Sequence, residues 1–228
     1  MIKLKKGNRP TILEEHGAAW TAEYVAWVSL PSPRPAVRRR WAHPQIKSAL
    51  LEETHRKCAY CESHVTHVYP GDAEHMVPKS RVPDLVLEWK NLTFSCAECN
   101  RRKRDYYDPA APLIHPYEDD PECHVRFYGP QAVAAPGSAK GFRTIHKLEL
   151  DRPQLFDRRR DVIVRLTELL TLWERETDGL AKELRRRAIM DLTQAHSEYA
   201  ATVRWFLRAT PEWAGEDDTA VPSETQIA

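Results

Sequence analysis

No apolar run in this 228-residue chain approaches the roughly 18–20 residues that a membrane span needs. The opening MIKLKKGNRP is basic and lacks an apolar stretch of the kind that leads a secreted chain, so the protein is expected in the cytoplasm. A disulfide framework is not expected either. Five cysteines is an odd number, and four of them form two CxxC pairs, a pattern that favours a metal in a chain without an export signal. The composition, 42% hydrophobic and 29% charged, excludes collagen-like, coiled-coil and wholly disordered classes. The length allows one or two domains with a self-supporting core.

A net charge of +1 hides an asymmetry. Residues 211–228 carry five acids (Glu212, Glu216, Asp217, Asp218, Glu224) and no Lys or Arg, which leaves 34 basic against 28 acidic residues, a net +6, in the rest. Basic clusters stand at 38–40, 101–104, 158–160 and 185–187. They permit a nucleic-acid partner; any one of them alone is equally a solvated helix face.

The chain divides by composition. Trp20, Tyr24 and Trp27 recur at near-helical spacing before a break at Leu30-Pro31-Ser32-Pro33-Arg34-Pro35. Residues 44–57 read as a helix, with Pro44 in its first turn and an apolar stripe of Ile46, Leu50 and Leu51. Residues 109–141 hold six prolines, so helix is disfavoured, and His124–Tyr128 followed by Gly129-Pro130 reads as a strand and turn. After Pro153 two amphipathic helices are expected, the second running without Gly or Pro over 180–210, with Leu180, Leu184, Ala188, Leu192, Ala195, Tyr199, Val203 and Phe206 on one face. Trp173 and Trp205 read as core residues. The acidic tail is expected to be disordered.

Cys58-Ala59-Tyr60-Cys61 and Cys96-Ala97-Glu98-Cys99 are two knuckles separated by 34 residues. Four thiolates hold Zn²⁺ tetrahedrally, with sulfur about 2.3 Å from the ion. Such a closed site is structural: no position is left for a reacting water. Cys123 is the odd cysteine and reads as a small packing residue. His64 and His67 are alternative ligands in principle but read as loop residues.

Chemistry therefore belongs to the insert. It contains Asp72-Ala73-Glu74-His75-Met76-Val77-Pro78-Lys79-Ser80 and Trp89-Lys90-Asn91-Leu92, and Asn100-Arg101-Arg102-Lys103-Arg104 follows the second knuckle. A neutral His takes a proton from water near pH 7. A carboxylate beside it and the side-chain oxygen of Asn100 suit Mg²⁺ or Mn²⁺. Lys103 lies one helical turn after Asn100. A base, a hydrated divalent ion and a cation are what attack on a phosphodiester requires.

Framed by two CxxC pairs, Glu74-His75, Asn91 and Asn100 resemble the HNH endonucleases of ββα-metal fold. The resemblance implies that His75 is the general base, that Glu74 (where many members carry Asp) and Asn100 ligate the catalytic Mg²⁺ or Mn²⁺, and that Asn91 braces the loop carrying the base. It implies that Lys103 contacts or neutralises the scissile phosphate. Arg101, Arg102 and Arg104 are expected on the DNA backbone, without base specificity. With Asn100 as the last motif residue there is no second histidine, and metal-bound water would protonate the leaving group. Lys3–Gly7, Leu13–His16, the phrases around Cys58, His75 and Asn91, and Thr144–Arg158 are further similar to PtuB-type HNH nucleases of Septu and some retron anti-phage systems. That similarity implies an ABC-type ATPase partner, PtuA, for the nuclease.

The expected architecture is mainly α, with a small ββα core stapled by a zinc site of four cysteines. One strand includes Glu74 and His75, a second spans Leu92–Ser95, and a helix begins near Cys99. The expected regions are 1–52 (helical), 53–107 (nuclease core), 108–152 (Pro-rich loop and short strands), 153–210 (helical, docking a partner or another copy) and 211–228 (tail). Two other functions fit parts of the pattern: a zinc-ribbon module that binds nucleic acid or a partner without cutting, and a restriction-type HNH enzyme. The first has no need of the set Glu74, His75, Asn91 and Asn100. The second lacks a visible recognition motif.

Overall fold

The computed structural model describes residues 1–32 and 35–213. It is mainly helical. Seven α-helices surround two separate two-stranded antiparallel sheets among the described residues. No described helix is long and apolar enough to cross a membrane.

Helix α1 (Thr11–Val28) buries Leu13, Gly17 and Tyr24. Helix α2 (Pro44–Glu53) starts with proline at its first position, and the His43 imidazole accepts from Gln45 N. It buries Ile46 and Leu50 completely. The expected helix to residue 57 stops four residues early. Thr54 Oγ1 turns back to Leu50 O at 2.8 Å, and His55 and Arg56 take positive φ. That reversal delivers the chain to Cys58.

Strands β1 (Asp72–His75) and β2 (Leu92–Ser95) pair antiparallel, with Glu74 opposite Thr93 and His75 opposite Leu92. Gly71 enters β1 at φ +68 with the Phe94 ring against it; a Cβ there would lie 2.1 Å from Phe94 Cζ. Helix α3 (Ala97–Lys103) follows β2 directly, and Cys96 Sγ accepts from Cys99 N at its N-terminus. The expected ββα unit is therefore present, its helix opening two residues before Cys99.

Strands β3 (Val125–Tyr128) and β4 (Gln131–Ala134) form the hairpin expected at Gly129-Pro130. Helix α4 (Ala139–Leu148) packs on it so closely that a Cβ at Gly141 would meet His124 O at 2.0 Å. Helix α5 (Pro153–Glu174), α6 (Gly179–Asp191) and α7 (Ala200–Arg208) complete the chain.

The single helix expected over 180–210 is broken between 192 and 199. Local side-chain bonds compete with the helical ladder there: Thr193 Oγ1 to Met190 O at 2.7 Å and Ser197 Oγ to Asp191 O at 2.8 Å. Tyr199 then takes a left-handed conformation, φ 55, and its buried hydroxyl bonds Ser63 Oγ at 2.8 Å. The predicted stripe fails with it, since Leu180 and Leu184 are 72% and 55% exposed. Trp173 and Trp205 do pack against apolar clusters, and Cys123 is half-buried. The tail from residue 214 lies outside the described residues; Pro211–Trp213 form a 3-10 turn that buries Trp213 against Trp173.

Three apolar clusters result. One joins the cysteine knuckles to β3, β4, α4 and the start of α7. A second joins α1 and α2 to β2. A third is confined to α5, α6, α7 and Trp213. Glu53 stitches the first residues to the nuclease core: it accepts from Lys6 Nζ at 2.8 Å and Tyr117 Oη at 2.5 Å, and Tyr117 also bonds Thr93 Oγ1.

Candidate active site

The two knuckles close on each other. The four sulfurs of Cys58, Cys61, Cys96 and Cys99 lie within 4.8 Å of one another and are buried. Cys61 Sγ and Cys96 Sγ are 3.9 Å apart, close to the ~3.8 Å edge of a tetrahedron with 2.3 Å bonds. Arg152 Nη2 stands 3.8 Å from Cys99 Sγ, a cation placed where thiolate charge would accumulate. The donor set and its spacing fit a metal ion.

The insert folds against α3. Strand alternation puts Asp72 and Glu74 on one face of β1, and α3 meets that face with Asn100 and Lys103, one turn apart. Asn100 Nδ2 donates to Asp72 Oδ2 at 2.9 Å, so its carbonyl oxygen keeps its lone pairs. Glu74 is buried. Its Oε1 lies 2.9 Å from Lys103 Nζ, yet has no partner in hydrogen-bonding geometry. Burial raises the Glu74 pKa, and the Lys103 and Lys79 ammonium groups oppose that rise. A buried carboxylate and an amide oxygen lining one cleft suit a hard cation.

His75 closes β1 and points toward the other side of the cleft. Its Nε2 pairs with Val86 O at 2.9 Å, and a carbonyl can only accept, so Nε2 carries the proton. Nδ1 is left as the acceptor and has no hydrogen-bond partner among the described residues. The Trp41 ring stands edge-on at 5.4 Å. Burial pushes the His75 pKa down to about 3, with Lys79 and Lys103 acting in the same direction and the Val86 carbonyl against it. The imidazole is neutral at pH 7.

Asn91 ties down the loop that leaves His75. Its Oδ1 accepts from Val77 N at 2.7 Å, and its Nδ2 donates to Val77 O and Leu85 O, both at 3.0 Å. Met76 N donates to Asn91 O at 2.9 Å. These bonds span residues 76–85 and hold Val86, the residue that orients the base.

A cleft of about 400 Å³ joins these groups; Asp72, Glu74, His75, Lys79, Asn100 and Trp41 line it. Residues 58–105 match the family model of the HNH endonuclease. Over 218 residues the chain is 30% identical to the Septu protein PtuB of Bacillus thuringiensis, covering 89% of this chain and 80% of that protein. The chain belongs to the PtuB family. The Septu protein PtuB of Bacillus mycoides (strain KBAB4) is also 30% identical, over 148 residues, 51% of this chain and 50% of that protein.

Within this PtuB-family chain the structure gives two groups of expected phosphate contacts partners of their own. Lys103 is 3% exposed, ion-paired with Glu74, and donates to His75 O at 2.9 Å. Its place one turn after Asn100 points it inward, because α3 lies flat on β1. The basic run 101–104 is also partly spoken for. Glu98 binds both Arg101 and Arg102, Arg102 pairs further with Glu149, and only Arg104 is without such a pair among the described residues. His64 and His67 lie in the loop after the first knuckle and belong neither to the cysteine cluster nor to the cleft lining. Three residues joined the site without being singled out beforehand: Asp72, Lys79 and Trp41. Asp72 was accessible from strand parity with Glu74. Trp41 was not, since 33 residues separate it from Glu74.

Proposed function

We propose that this chain is a metal-dependent DNA endonuclease, the nuclease subunit of a Septu-type anti-phage system acting with a PtuA-like ABC-type ATPase. The observation that carries the reading is the His75 arrangement: Nε2 fixed by Val86 O, Nδ1 open to a cleft that also holds Glu74 and Asn100. Glu74 and Asn100 are the residues that would hold Mg²⁺ or Mn²⁺, which supplies charge neutralisation at the phosphate and a more acidic water. His75 Nδ1 takes the proton of the attacking water, whose oxygen bonds to phosphorus as the P–O ester bond breaks. The departing alkoxide takes its proton from water, since the described residues of the cleft offer no second imidazole. Lys103 holds Glu74 in place and opposes the rise that burial gives its pKa. Asn91 and Val86 hold His75 in the needed tautomer and orientation. The four-cysteine cluster is read as zinc and as structural, because all four of its positions are protein ligands.

The test is nicking of supercoiled plasmid by the purified chain in Mg²⁺, in Mn²⁺ and in brief EDTA, beside His75→Ala. Metal-dependent nicking that falls at least about 10²-fold in the variant is expected. No nicking by a folded, zinc-loaded wild-type chain with either ion, alone and again with the ATPase partner added, sinks the reading and leaves the binding module in its place.

A further inference from the structure

With Lys103 locked behind Glu74, the cleft needs another cation for the substrate. Among the described cations that line it, Lys47 is bonded to Gly71 O at 2.9 Å, and Lys79 stands closest in the chain to His75. It stands four residues after His75, is about half-buried, and lines the same cleft as Glu74, His75 and Asn100. Its ammonium lies 4.9 Å above the Trp41 ring, and Trp41 in turn abuts His75 edge-on. It forms no ion pair with any described residue. The acid nearest in electrostatic terms, Glu74, is already bound by Lys103. Its other charged neighbours are cations, Lys103 and Arg39, and burial among them lowers its pKa. A desolvated, uncompensated ammonium costs stability unless an anion arrives.

Resting on the nuclease reading above, we infer that Lys79 is the residue that contacts the scissile phosphate, with the exposed Arg39 at the cleft mouth guiding the strand. The Trp41 face holds the ammonium in place while leaving its N–H bonds for phosphate oxygens. The loop that carries Lys79 is the loop that Asn91 fixes at Val77, so base and cation are positioned by one brace. Charge grows on the non-bridging oxygens as water adds, and a preplaced cation then stabilises the transition state more than the ground state.

Steady-state nicking by Lys79→Gln and Lys79→Arg tests this, with melting temperature and zinc content as checks on folding. Expected is a fall in kcat of about 10²-fold for Lys79→Gln with KM little changed, and recovery of most of that loss by Lys79→Arg. A Lys79→Gln enzyme within threefold of wild type, or a Lys79→Arg enzyme as slow as the Gln variant, overturns it. A second readout needs no turnover. In a His75→Ala background with Ca²⁺, binding to a short duplex is followed against salt; Lys79→Gln should reduce the slope of log K on log[salt] by about 1. An unchanged slope overturns the contact. Wild-type protein that does not nick even with the ATPase partner added defeats the nuclease reading instead, and the salt slope then still decides whether Lys79 meets a phosphate.

Discussion

Two places in this molecule gather groups suited to metal ions, and they are built in opposite ways. The cysteine cluster is closed: four sulfurs converge, helix α3 is capped by one of them, and apolar side chains from both ends of the chain cover it. The cleft is open: Glu74, held on one side by Lys103, shares it with Asn100, the base and Lys79. The first satisfies every donor within itself, as a stabilising site does. The second holds a half-buried ammonium, that of Lys79, without an ion pair among the described residues, beside a carboxylate that only Lys103 balances. They share α3, whose first turn carries Cys99 and whose next residue is Asn100, so the closed site fixes the geometry of the open one.

The sharpest way to break the contrast is to damage the closed site. Cys99→Ser should remove the metal and with it most of the folding free energy of the core, since structural zinc contributes on the order of 10 kcal/mol in small zinc domains. Metal analysis should give one zinc per wild-type chain and none in the variant, with loss of the cooperative melt. An unchanged melt would mean that the apolar cover alone holds the knuckles.

The next effect lies on the wall of the open site. Lys103→Met should cost about 3–5 kcal/mol in denaturant unfolding, because it strands the buried Glu74 carboxylate. The double variant Lys103→Met with Glu74→Gln should recover much of that stability and still not nick. A single variant as stable as wild type would show that the pair is not a strut. Asn91→Ala is expected to be smaller, about 1–3 kcal/mol for three lost hydrogen bonds partly replaced by water. Hydrogen exchange should locate the loosening in residues 76–85, and exchange spread evenly over the chain would argue against a local brace.

Much of the core was legible beforehand because its signals are local. The CxxC pairs, the Glu74-His75 dipeptide and Leu92–Ser95 each lie within a few residues, and short spacing leaves few geometries open. Asn91 was legible only through family resemblance; its bonds to Val77 and Leu85 could not be read from composition. The direction of Lys103 was not legible, because periodicity gives the face of α3 but not which element covers it. The break at 192–199 was missed because no Gly or Pro marks it. Thr193 and Ser197 end the helix by side-chain bonds, and the buried Tyr199 restarts it from Ser63, 136 residues away.

The amino-acid sequence by itself determined the cysteine set, and its resemblance to the HNH endonucleases implied the strand–strand–helix order and the candidate base, since the motif is carried by residue type and near neighbours. Only the tertiary structure decided which lysine faces the cleft, which tautomer His75 adopts, and that Glu53 and Tyr117 tie the first residues to β2. Those depend on burial and on partners dozens of residues apart, and desolvation is set by everything that packs around a group rather than by the group itself.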